Sequence, residues 1–184
     1  AESGLENVTS NKGAKGVWQF MEATARQYNM EVSDEVDERL HLEKSTQAAC
    51  NYLRSAFQRF NNWTMAAAGY NRGVSGMNDH TDDQQESSYY NLYLNTETSR
   101  YIFRILAYKI VMSNPHDYGY HFTTEDFYPK QATNTVEVSG IDNLTSFAKS
   151  YNTSYKTITT LNSCLRSNSI RDKNNKSYQV KVPL

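Results

Sequence analysis

Proline and cysteine are both scarce in this chain, at three and two residues in 184. So little cysteine excludes a small disulfide-stapled scaffold. Cys50 and Cys164 are also far apart, in no spacing that would hold a metal. A long-range disulfide between them is not deducible from the sequence. Cys50, on the apolar side of a helical pattern, is expected to be a small buried hydrophobe. Charge of one sign is lacking too. Lys and Arg number 19 against 20 Asp and Glu, for a net charge of −1, so no strong field argues for nucleic acid or an anionic membrane surface. No apolar run approaches the roughly 20 residues of a membrane helix, and mean hydropathy is −0.75. No signal peptide is visible, and membrane anchoring is expected only through a segment outside this sequence.

What the chain has is helical patterning followed by a change of style. Residues 17–29 carry Val17, Met21, Ala25 and Tyr28 at helical spacing. In 45–60, Ala49, Tyr52, Leu53, Ala56, Phe57 and Phe60 follow one helical face, with Ser45 or Thr46 as a cap. Residues 63–71 predict a short buried helix ending near Gly73. Residues 78–88, polar throughout, are expected to be a solvated loop without a metal constellation. Residues 96–112 predict the strongest helix, with Tyr101, Ile105, Tyr108 and Met112 on one side and Asn114-Pro115 as its stop. A Tyr-, His- and Phe-rich stretch, 113–131, is expected to pack on the preceding domain as a linker. Beyond it come a strand pattern in "TVEVSG", two short helices in "DNLTSFAKSYN" and "SYKTITTLN", and a closing strand in "SYQVKVP". Leu144, Phe147, Ala148, Ile158 and Leu161 should face inward. The fold class expected is mainly α, a helical domain over 1–129 followed by a small βααβ module over 130–184.

The residues able to carry chemistry gather at the front. Glu2 precedes a polar loop with Ser10, Gly13 and Gly16, and then "VWQF". Glycines let backbone approach a ligand closely. Trp18, Phe20, Trp63 and Tyr70 offer flat surfaces for sugar rings, and Gln19 and Asn71 offer amides to hydroxyl or N-acetyl groups. An acid among amides and aromatics suits cleavage of a glycosidic bond, where a carboxyl must protonate a leaving oxygen.

In this order, "ES", Ser10 with "GAKG", "VWQF" and "AAAGYNRG" resemble the signature of the lytic transglycosylases of glycoside hydrolase family 23. Gly69 stands where that family usually has Ala, and Asn95 in "LYLNTETSRYI" where it usually has Pro. The resemblance covers residues 1 to about 128 and implies a lysozyme-like helical fold. It implies that Glu2 is the catalytic acid and then base, that Ser10 and Gln19 contact substrate, and that Tyr70 and Asn71 bind sugar at the cleavage subsite. Tyr101 would orient the Glu2 carboxylate, and Ser3 would support structure. The implied reaction cuts the β-1,4 bond between N-acetylmuramic acid and N-acetylglucosamine in peptidoglycan, leaving a 1,6-anhydro end, with one carboxylate and no metal or cofactor. The family places its acid at the end of a helix that starts upstream, whereas only Ala1 precedes Glu2 here.

Residues 130–184 resemble a LysM repeat, with "GIDN" in place of the usual Gly-Asp-Thr turn and an extra stretch, "SCLRSNSIRDKNNKS", before the last strand. The implied partners are peptidoglycan glycan strands, not nucleic acid. The implied place is the bacterial envelope, on the periplasmic side, with outer-membrane anchoring a matter for a longer chain. Two other readings stay open. One is a goose-type lysozyme-like hydrolase with Glu97 or Asp37 as a second acid, and the other is a peptidoglycan-binding protein without catalysis.

Overall fold

The computed structural model describes residues 2–171 and 176–184. These residues form two compact units, one of residues 49–127 and one that joins residues 2–48 to 128–184. The grouping is by packing, and it cuts across the sequence boundary expected at 129. Helices account for most of the regular structure, with one pair of strands near the C-terminus.

In the unit of residues 49–127, helix α2 (Leu42–Phe60) contributes all but its first two turns. Helix α3 (Trp63–Arg72) follows, capped by Asn62, whose Oδ1 accepts from the Met65 N–H at 3.0 Å. Gly73, at φ +89°, ends α3 and starts α4 (Val74–Gln84). Helix α5 (Thr96–Ser113) is capped by Asn95 through the Thr98 N–H at 2.8 Å. Asn95 thus supplies the capping oxygen that a proline at this position would not. The core holds Met65, Ala68, Met77, Tyr89, Leu92, Leu94, Tyr101 and Ile102. Gly69, the departure from Ala, has a packing reason: a Cβ there would lie 3.2 Å from the Phe60 ring and 3.4 Å from a Val74 methyl.

Three expectations in this unit are corrected. Residues 78–84 are helix, not loop, because fully buried Met77 anchors α4 while its polar face stays in water. Cys50 is exposed on α2, and both cysteines are free; Ala49 and Ala56 take the buried positions instead. The linker stretch does not pack down: Tyr118, Tyr120, Phe122 and Phe127 are exposed, as are Tyr108 and Met112 of α5, and the Phe122 ring meets those of Tyr120 and Phe127.

In the other unit, β1 (Thr133–Val138) pairs antiparallel with β2 (Tyr178–Pro183), and α6 (Leu144–Ser150) and α7 (Tyr155–Leu161) lie between them in sequence. This is the βααβ order expected. Asn143 and Ser154 cap the two helices through the N–H groups of Ser146 and Thr157. Leu144, Ala148, Ile158, Val180 and Val182 fill the core, with Phe147 packed against it.

That core also contains Val36, from the first part of the chain, which is 1% exposed. Its partners come from the extra stretch before β2: Leu165 bridges Val36, the Asp37 N–H donates to the Cys164 carbonyl at 2.8 Å, and the Arg166 N–H donates to the Glu35 carbonyl at 2.8 Å. Burial pushes the Cys164 thiol up to about 11. Thiol labelling of the native protein at pH 8 should therefore modify Cys50 alone, and labelling in denaturant both cysteines. Native labelling of Cys164 at the rate of Cys50 would contradict this packing. No helix of the described residues is long and apolar enough to cross a membrane.

Candidate functional site

The six candidate residues fall three to a unit. Glu2, Ser10 and Gln19 belong with the βααβ module, and Tyr70, Asn71 and Tyr101 belong to the helical unit.

"VWQF" is not the start of a helix, as its spacing suggested; α1 begins only at Glu22 and ends at Gln27. Residues 8–20 instead fold back on themselves. Lys15 bridges both Thr9 and Phe20, and the Gly16 N–H donates to the Val8 carbonyl at 3.0 Å. Gly16 at φ +82° and Gln19 at φ +51° supply the reversal. Ser10 closes the inner turn, accepting at Oγ from the Ala14 N–H at 3.0 Å. Gln19 donates from Nε2 to the carbonyls of Val8 (3.0 Å) and Gly16 (2.8 Å). Both of its N–H bonds are thereby committed to the loop, so its amide carbonyl is what it can offer a hydroxyl or N-acetyl N–H.

Glu2 is half-buried, and its neighbour Ser3 donates to the Val17 carbonyl at 2.9 Å, tying the acid's backbone to this loop. Of the flat surfaces expected for sugar, Phe20 is 3% exposed and serves the core instead. Trp18 is half-buried and donates from Nε1 to the Thr46 hydroxyl at 2.8 Å.

The loop is held from below by a pair that spacing arguments pass over. Arg39, 4% exposed, donates from Nε and Nη2 to the two carboxylate oxygens of Asp37, 2% exposed, at 2.8 and 2.7 Å. Lys15 adds a third contact to Asp37 at 3.3 Å. Burial alone would raise the Asp37 carboxyl, but the hydrogen bonds and charge of Arg39, then of Lys15, outweigh it and hold the group below its ordinary value. Arg39 Nη1 then reaches the carbonyls of Gly13 (3.2 Å) and Phe20 (3.4 Å). Gly16 lies so close that an added Cβ would fall 2.0 Å from the Arg39 carbonyl oxygen. A cleft of about 600 Å³ opens beside this pair, and its cations each face an acid: Arg39 and Lys15 with Asp37, Arg26 with Glu22, Arg171 with Glu35. It carries no surplus charge to draw in a polyanion.

In the helical unit, Asn71 near the end of α3 accepts at Oδ1 from the Thr98 hydroxyl at 3.0 Å and donates to Glu97 Oε1 at 3.4 Å. The Asn71 amide thus links α3 to the first turn of α5. Tyr70 meets Tyr52 edge to face at 5.1 Å, and Tyr101 lies in the core at 6% exposure. Tyr89 donates its hydroxyl to the carbonyls of Thr98 (2.7 Å) and Ser99 (2.8 Å), which fixes the same turn. Trp63, at the start of α3, is 59% exposed and stacks on Phe57 at 4.4 Å.

Comparison with known proteins agrees with the motif order. The model of the transglycosylase SLT domain family matches residues 1–93, and that of the soluble lytic transglycosylase C-terminal LysM-like domain matches residues 134–184. The membrane-bound lytic murein transglycosylase D of Escherichia coli strain K12 is 27% identical over 125 residues, which cover 65% of this chain and 28% of that protein. Its namesake from Escherichia coli O6:H1 (strain CFT073) gives the same figures. The chain thus spans little more than a quarter of the length of these relatives. The fold is the expected one, a lysozyme-like helical part and a LysM-like βααβ module.

Proposed function

Because the chain belongs to the transglycosylase SLT domain family, we propose that it carries the cutting site of a peptidoglycan lytic transglycosylase. Residues 1–129 supply the cleavage and residues 130–184 a LysM-like contact to the same polymer. The substrate is the β-1,4 bond between N-acetylmuramic acid and N-acetylglucosamine. The place of action is the bacterial envelope, where that polymer lies.

The mechanism asks for one carboxyl used twice. Glu2 protonates the glycosidic oxygen as its bond to C1 breaks, and the substrate's own N-acetyl oxygen stabilises the positive carbon. Glu2, now a carboxylate, takes the proton from the C6 hydroxyl, whose oxygen closes onto C1. A 1,6-anhydro ring forms, no water is consumed, and Glu2 returns to its starting state. By the family resemblance, the sugar-holding roles would fall to Ser10, Gln19, Tyr70 and Asn71, and the orienting of the acid to Tyr101. No metal or cofactor takes part in this scheme.

Support for the single-acid route over hydrolysis comes from Asp37. A hydrolase needs a second carboxylate free to activate water. Asp37 is buried and bound to Arg39 and Lys15, and Glu97 receives the Asn71 amide in the first turn of α5. The test is mass spectrometry of the muropeptides released from purified sacculi. Products with anhydro ends are expected. Reducing ends, heavier by one water, would overturn the reading in favour of a hydrolase, and binding without release would leave a glycan-binding protein.

A further inference from the structure

The extra stretch before β2 has a use that an appended binding module would not need. Its backbone receives residues 35–37 in the bridge and hydrogen bonds already described. Side chains double the grip. Glu35 accepts from the backbone N–H of Arg171 at 3.1 Å and pairs with its guanidinium. The Ser163 hydroxyl donates to the Leu40 carbonyl at 2.8 Å and accepts from Asn7 at 3.1 Å. The Tyr178 hydroxyl of β2 donates to Glu31 at 3.2 Å, and Lys176 pairs with the same carboxylate.

Residues 31–38 are themselves a tight strap. The Glu31 N–H donates to Glu38 Oε2 and the Glu38 N–H to the Glu31 carbonyl, both at 2.8 Å. Gripping residues 35–37 therefore fixes Asp37 directly and Arg39 two residues on. Those two in turn hold the carbonyls of Gly13 and Phe20.

We infer that the C-terminal module is a positioning element of the cutting site: it seats the strap 31–40, and through the Asp37–Arg39 pair the strap sets the loop that carries Ser10 and Gln19. Asp37 and Arg39 are positioning residues, since neither is required to touch substrate. The inference rests on the proposed role of that loop. The connection itself is a property of the fold and can be measured without turnover.

The experiment uses the full chain with Glu35→Arg, Arg171→Glu and both together. Hydrogen exchange is followed at the amides of Lys15, Gly16 and Phe20, which are bonded within the loop, and kcat and KM are followed on soluble glycan. Glu35→Arg removes both carboxylate contacts to Arg171 and should speed loop exchange by about tenfold or more, since the loss of a single charge-assisted hydrogen bond is worth about that much. The kinetic loss should fall in KM, because the loosened residues contact substrate. Adding Arg171→Glu should restore both in part, a rescue that general damage to the module would not give. If Glu35→Arg does not fold, Arg171→Ala carries the same test with a smaller change, since the Arg171 side chain is 75% exposed.

Faster exchange at Asp37 and Arg166 with unchanged Lys15, Gly16 and Phe20 would overturn the inference, because the grip would then open without loosening the loop. Should the unsubstituted protein release no product, the proposed function fails, and the exchange result still decides whether the module sets the loop.

Discussion

Glu2→Gln should abolish turnover on sacculi while leaving murein binding unchanged. The amide matches the acid in size and keeps one acceptor oxygen, but it has no proton to give the leaving oxygen and cannot take one from the C6 hydroxyl. General acid–base catalysis is worth about 10²–10⁴-fold for one proton transfer. Here both transfers fall on the same group, so the loss should reach the upper end of that range. Glu2 is held by its surroundings rather than by a helix of the described residues: a turn at 3–6 follows it, and the Ser3 hydroxyl anchors that turn to Val17 at 2.9 Å. Anhydro-muropeptide release by Glu2→Gln at the unsubstituted rate would remove Glu2 from the mechanism. Loss of sacculus binding alongside turnover would show that the side chain supports structure instead.

The helices that the sequence predicts well are those with a two-sided pattern. In α2, α3 and α5 the apolar residues recur every three or four positions, but the starts were less legible: α2 opens at Leu42, which puts Ser45 and Thr46 inside it rather than at its cap, while Asn62 and Asn95 cap α3 and α5. The βααβ module was legible for the same reason, with alternation in its strands and short apolar faces in its helices. Helix α4 was missed because its buried contribution is a single residue, Met77, and one apolar position makes no period. "VWQF" was misread in the opposite sense. Val17 and Met21 fit a helix, but the left-handed backbone at Gly16 and Gln19 turns the chain back so that Phe20 pairs with Lys15. The candidate site residues rest on motif order alone, while the support beneath them was not legible in the sequence. "VDERL" looks like a solvated charged run. Its flanking Val36 and Leu40, buried at 1% and 6%, are the signal that could have marked the charges between them as interior. The extra stretch "SCLRSNSIRDKNNKS" carried a similar sign in Cys164, Leu165 and Ile170, all of which are buried.

The other large effect expected is on stability. Asp37→Asn should destabilise the unit that contains the front loop by about 3–5 kcal/mol at neutral pH. That is the cost of removing one partner from a buried ion pair, since Arg39 would be left charged and uncompensated in the interior. The pH dependence follows from the direction of the shift. The folded carboxyl lies below its ordinary value of 3.8, so its contribution is complete above about pH 4 and is lost as pH falls through the folded value. The gap between the two proteins should therefore be widest at pH 7 and narrow steadily below pH 4. Urea unfolding followed by Trp18 fluorescence reports on this unit. A Trp63→Phe background removes the only other tryptophan, whose exposed position makes that change mild. A gap of less than about 1 kcal/mol at pH 7, within the reach of an ordinary surface substitution, would show that Asp37 does not hold Arg39. So would a gap that persists undiminished at pH 3. If the gap is large, the same substitution should also loosen the amides of Gly16 and Phe20, because Arg39 reaches the front loop only from the geometry that Asp37 imposes on it.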